Sequence, residues 1–132
     1  MVVMLKRFSV ENFKGFKDKI TFDLCSPGRY GFNSEIIVNG CISKGIVYGI
    51  NGCGKSNLGL AIFDIITHLT DKQKLLHGND LYLNMIGRKS FAEFEYVFGF
   101  AEHEVIYRYN KTDVNTLKQE RLFIDDREVI YY

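Results

Sequence analysis

Gly49-Ile50-Asn51-Gly52-Cys53-Gly54-Lys55-Ser56 sets glycines, one lysine and one hydroxyl at the spacing G-x-x-x-x-G-K-[ST], a pattern suited to holding a polyphosphate. A purine triphosphate is a dense cluster of negative charge and needs hydrogen-bond donors aimed inward at close range. Gly52 and Gly54 let the backbone curl so that successive N–H groups converge on a β-phosphate, where a Cβ would obstruct the approach. The start of a following helix adds partial positive charge at the same place. Lys55 is placed to reach the β- and γ-phosphates, and the Ser56 hydroxyl to hold Mg²⁺. Cys53 lies inside this stretch and is expected to contribute its backbone rather than thiol chemistry.

Such a loop works only between elements that hold it. Upstream, Gly45-Ile46-Val47-Tyr48 is a short apolar run of the kind a buried parallel strand shows. Downstream, Leu58, Ala61, Ile62, Ile65, Ile66 and Leu69 recur at helical spacing, which predicts a helix over about 55–69. Strand, glycine loop and helix stand in the order that phosphate binding requires. The fold class expected is therefore α/β: a P-loop NTPase lobe with a mixed sheet, a strand–P-loop–helix core and an antiparallel β-subdomain. One domain is expected over 1–132, with the phosphate-loop core in 1–70 and the β-rich subdomain in 90–132.

The flanking segments supply the strands. Around Met4–Glu11, Met4, Lys6, Phe8 and Val10 share one side and Arg7, Ser9 and Glu11 the other, as in a strand with one covered face. Ile20, Phe22 and Leu24 alternate likewise and predict a second, antiparallel strand. Asn39-Gly40 after Glu35–Val38 carries the two-residue hairpin signal. Residues 71–89 read as a polar stretch with a short helix and a loop. From Ser90 onward the period is two: Ala92, Phe94, Tyr96, Phe98 and Phe100 share a face. Further strands are expected over 103–109, 117–124 and 128–132.

Lys plus Arg (17) nearly cancel Asp plus Glu (16), so no global basic field demands nucleic acid. The longest apolar runs are too short to cross a bilayer and no signal-peptide core follows the first residues, which predicts a cytoplasmic protein without membrane partners. Cys25, Cys41 and Cys53 include no C-x-x-C pair and suggest neither a zinc site nor a disulfide framework. His68, His77 and His103 show no ligand spacing and read as surface or satisfied residues.

Phe8-Ser9-Val10-Glu11-Asn12-Phe13-Lys14-Gly15-Phe16, followed by Ile46 through Leu58, resembles the amino-terminal lobe of ABC-type ATPase heads of the RecF, SMC and OLD-nuclease-like branch. There an N-F-K/R-x-F turn precedes an N-G-x-G-K-S-N phosphate loop. The resemblance implies that Asn51, Gly52, Cys53, Gly54, Lys55, Ser56 and Asn57 bind ATP, that Ser56 ligates Mg²⁺, and that Lys14 reaches the nucleotide. Phe13 and Phe16 read as core plugs. Such heads also need a Ser-Gly signature and a Walker B strand ending in Asp-Glu. This sequence has no such signature, and Leu122-Phe123-Ile124-Asp125-Asp126 fits a hairpin turn better than Walker B. The expectation is an ATP-binding lobe truncated before those motifs, with no catalytic residue of its own. Its partners would be a second head or the missing carboxy-terminal lobe, with DNA or a nuclease domain beyond them.

Two other classes remain open. One is a small phosphotransferase or GTPase, for which Asn110-Lys111-Thr112-Asp113 matches N-K-x-D although D-x-x-G is absent. The other is a non-catalytic β-rich interaction module with a vestigial loop.

Overall fold

A computed structural model of the chain describes residues 3–29, 31, 33–70 and 81–132. Eight strands and one α-helix are described: β1 (Val3–Glu11), β2 (Ile20–Asp23), β3 (Ile37–Val38), β4 (Cys41–Ile42), α1 (Lys55–Thr70), β5 (Ala92–Phe100), β6 (His103–Lys111), β7 (Leu117–Ile124) and β8 (Arg127–Tyr131). Six of the strands form one sheet in the order β2-β1-β5-β6-β7-β8, and β3 and β4 form a separate hairpin. Every pairing among them is antiparallel.

The expected α/β class is thereby corrected: the described residues form a predominantly β fold, an antiparallel six-stranded sheet carrying one α-helix, and no strand–P-loop–helix core is found among them. Gly45–Tyr48 is not a strand. Ile46 and Tyr48 are 89% and 90% exposed, and Val47 is also exposed. A parallel strand is stable only with hydrogen-bonding neighbours and cover on both faces. No described strand runs beside these four residues, so their apolar composition does not make them a core strand. The sheet forms instead from hairpin neighbours, which pair locally through short turns.

The period-two segments do become strands. Their inward side chains Phe8, Val10, Ala92, Phe94, Tyr96, Tyr107 and Tyr109 build the core, joined by Phe13 and by Ala61 of α1. The β7–β8 connection is a two-residue turn with Asp125 at φ 47° and Asp126 at φ 64°, the type I′ geometry that matches strand twist. Asn39 (φ 51°) and Gly40 (φ 76°) make the same turn between β3 and β4, as the sequence predicts. β6 runs on to Lys111, two residues past its expected end, because Ala92 and Glu93 continue to pair with Lys111 and Asn110.

Parity in β1 differs from the expectation. A bulge between Leu5 and Arg7 sets Leu5 opposite Phe98 and Arg7 opposite Val97. One extra residue reverses the alternation, so Leu5 rather than Met4 packs with Phe8 and Val10 on the core. The opposite face of the sheet sets an apolar row, Val97, Ile106 and Phe123, among charged pairs such as Arg108–Glu95 and Arg121–Glu128 and Lys89 bridging Glu11 and Glu93.

The cysteine expectation is also corrected. Cys25 and Cys41 form a disulfide, with Cα atoms 4.0 Å apart. The β3–β4 hairpin folds back on the end of β2, where Ile42 N donates to Leu24 O at 2.8 Å. That return brings together two residues whose separation in sequence suggests no pairing. Of the stretch 71–89, residues 71–80 lie outside the described residues. From Leu81 to Phe91 the chain is a loop, with Leu83 bridged to Phe13.

Glycine placement yields a paired stability test. A Cβ on Gly87 would stand 1.8 Å from Asn12 Oδ1. Asn12 is buried, and its amide donates to Lys89 O and Phe91 O, so it has no room to retreat. Gly87→Ala should cost about 1–3 kcal/mol in urea unfolding. Gly59, within α1 and with nothing within 4 Å of its Cβ position, should gain about 1 kcal/mol as alanine.

Candidate phosphate-binding site

Gly49–Gly54 curls back on itself at the start of α1. Gly52 and Gly54 hold φ of +85° and +101°, values at which a side chain is strained. Cys53 N donates to Ile50 O, and Leu58 N donates to Gly54 O as a first helical bond. Inside the curl, Lys55 Nζ donates to Gly49 O at 2.6 Å and to Ile50 O at 2.7 Å. The ammonium thus sits in a collar of main-chain carbonyls, from which a stronger anion such as a phosphate could draw it. Gly49 is closely approached, since a Cβ there would lie 2.8 Å from Cys53 Sγ. Asn51, Gly52 and Cys53 are exposed, as is Ser56 on the first turn of the helix, where the unsatisfied amides lie.

The two sequence motifs touch. The Phe16 ring lies 3.5 Å from where a Cβ on Gly54 would be, and the Asn57 amide 2.7 Å from the corresponding point on Gly15. The turn that carries them is closed by reciprocal Phe13–Phe16 backbone bonds. Phe13 is a core plug as expected, edge-on to Tyr82 and Phe94, while Phe16 reaches both the core and the loop. Lys14 takes φ 46° at the tip of the turn. Its ammonium bonds Leu81 O at 3.4 Å and lies over the Phe13 ring.

The other candidate stretches serve the fold. Asp125 accepts from Glu104 N and pairs with His103 Nδ1, and those two bonds hold its carboxyl below the ordinary carboxylate range. It is a turn anchor in a hairpin, not a Walker B residue. In the N-K-x-D stretch, Lys111 is 1% exposed and bonded to Asp64. Asp113 closes its own turn through Asn115 N.

Sequence reasoning did not single out the polar cluster beneath the site. Asp64, two turns beyond the loop, is buried and accepts from Tyr109 OH (2.9 Å), Tyr82 OH (3.1 Å) and Lys111 Nζ (3.2 Å). Tyr96 OH donates to Ala61 O at 2.8 Å. Burial pushes the Tyr82, Tyr96 and Tyr109 hydroxyls well above the ordinary phenol value, so they stay neutral donors. A turn later, His68 stacks on Tyr109 and bonds Tyr107 OH, which in turn donates to Glu120. The available signal was spacing: Asp64 and His68 share the helical face of Ala61 and Ile65, an odd place for polar residues unless they are partnered. Among the described residues no group of acidic, histidine or cysteine side chains stands ready as a metal site.

No family model matches this chain, and no curated protein matches it.

Lys111→Met would strand the Asp64 carboxylate in the core and should destabilise by about 3–5 kcal/mol. Adding Asp64→Asn should restore part of that loss in the same denaturant titration. Desolvation, followed by the Lys111 charge, lowers the His68 pKa below the ordinary 6.5. The unfolded chain therefore takes up this proton first as pH falls. Stability should be intact above pH 6.5 and decline below it, and His68→Asn should flatten that part of the Tm profile.

Proposed function

We propose that this chain is an ATP-binding lobe of an SMC/RecF-like ABC ATPase, cytoplasmic and working in bacterial DNA repair or phage defence. Nucleotide would bind at Asn51–Asn57, with the amides of the curl and the α1 N-terminus around the phosphates. Lys55 would lie on the β- and γ-phosphates, and Ser56 would supply a Mg²⁺ ligand. Lys14 would swing from Leu81 O toward the bound anion. The observation that carries the reading is Lys55 Nζ held between Gly49 O and Ile50 O, beside two glycines at positive φ. A glycine turn without a ligand needs no ammonium at its centre.

The motif that would orient attacking water lies elsewhere in such an ATPase, since Asp125 is engaged in its hairpin. A second lobe or head would complete the site, and ATP held between the parts would drive their closure. The outward side chains Leu60, Phe63 and Ile66 give α1 a bare apolar face that such a partner could cover. No described helix is long and apolar enough to cross a membrane. The guanine reading loses its anchor, because Lys111 is buried against Asp64 rather than presented to a base.

Titration of labelled ATP and GTP with Mg²⁺ tests the proposal. ATP should bind in preference to GTP, and Lys55→Ala should weaken it about 10- to 100-fold, the value of a hydrogen bond to a charged group. Equal affinities for native and variant protein would refute it. Turnover by the protein alone should be negligible.

A further inference from the structure

Outside the phosphate loop, two sulfurs share a cavity. Cys25 lies just past β2 and Cys41 opens β4, and their disulfide borders a hollow of about 340 Å³ whose walls also carry Lys6, Arg7, Asp23 and Glu104. Cys41 is 3% exposed, whereas Cys25 is only half-buried. The bond is therefore approachable from one end, as thiol exchange requires.

Among the described residues, the bond fastens an element with few other ties to the sheet. β3 and β4 contribute two residues each, paired Ile37↔Ile42 and Val38↔Cys41. A two-stranded hairpin of this size is marginal by itself. The backbone bond from Ile42 N to Leu24 O adds one tie to the end of β2. From Ile42 the chain runs through Gly45–Tyr48, which have no strand partner, to Gly49 and the collar around Lys55. α1 fixes the loop from downstream, and the hairpin is the nearest anchor upstream.

We propose that Cys25–Cys41 is a reversible thiol–disulfide exchange site for a small dithiol, clasping the β3–β4 hairpin and thereby setting the upstream end of the phosphate loop. The link to nucleotide rests on the function proposed above; the clasp does not. A reductant thiolate attacks the Cys25 sulfur and forms a mixed disulfide. The Cys25–Cys41 bond breaks with its electron pair on Cys41, which takes a proton. The reductant's second thiol then displaces the Cys25 sulfur, which is protonated in turn. Two electrons and two protons pass to the protein, and the dithiol leaves as its own disulfide.

The test uses the whole chain with dithiothreitol as the probe. Native protein, oxidised in air and then denatured and alkylated, should gain one adduct by mass, on Cys53. After mild native reduction it should gain three. Hydrogen exchange over Ile37–Tyr48 should quicken on reduction while the core of β5 and β6 stays protected. ATP affinity should fall about five-fold in the reduced form, as expected when a loop holds its binding conformation only part of the time. Cys25→Ser/Cys41→Ser should match the reduced protein and ignore dithiothreitol. Three adducts from oxidised protein, or exchange unaltered by reduction, would overturn the clasp. Equal ATP affinity in both redox states, with Lys55→Ala still defective, would overturn its coupling to the loop. Loss of the Lys55→Ala difference would instead sink the proposed function and leave the clasp standing on its exchange data.

Discussion

The arrangement of this molecule depends on one buried ion pair. Asp64 of α1 and Lys111 at the end of β6 meet in the core, with Tyr82 and Tyr109 donating two further hydrogen bonds to the carboxylate. A charge removed from water is tolerable only when its partners are this complete. The pair also has direction. An apolar helix can slide or roll over a greasy sheet at little cost, whereas one tied at Asp64 and again through Ala61 O to Tyr96 cannot. The start of α1, and the glycine curl before it, inherit their place on the sheet from those ties.

Around that pair the core is unusually aromatic. Phe94 stacks on Tyr109, Tyr109 on His68, and Phe13 meets both Tyr82 and Phe94 edge-on. Each phenol brings an apolar ring to the core and a hydroxyl to the polar cluster. The cluster therefore extends from Ala61 to Glu120 through the aromatic core. The glycine curl is steadied from a second side by the Asn12–Phe16 turn, through the Phe16 and Asn57 contacts.

How much of this could be read from the residues follows from the range of the forces involved. Strands β5 to β8 and helix α1 were legible because alternation and helical spacing are local, and the hairpin turns because Asn39-Gly40 and Asp125-Asp126 suit positive φ. The glycine curl before α1 was legible because eight consecutive residues carry its pattern. Gly45–Tyr48 misled because apolar composition records an affinity for burial, not the presence of neighbours to provide it. The Leu5–Arg7 bulge has no local signature. The Cys25–Cys41 bond and the Asp64–Lys111 pair are meetings of residues far apart in the chain, visible only once the sheet has closed.

The two borders of the main sheet are unalike. At one, β2 is only four residues long, and the Cys25–Cys41 link straps a second small hairpin across its end. At the other, β8 shows five exposed residues, with Val129, Ile130 and Tyr131 among them. A border strand holds half of its peptide groups outward, and natural sheets blunt such rims with short strands, charges or covers. Here the first rim is short and strapped, and the second carries the charges of Arg127 and Glu128 beside those apolar side chains. Among the described residues the β8 rim therefore leaves a longer row of peptide groups to pair than the four-residue β2 rim does.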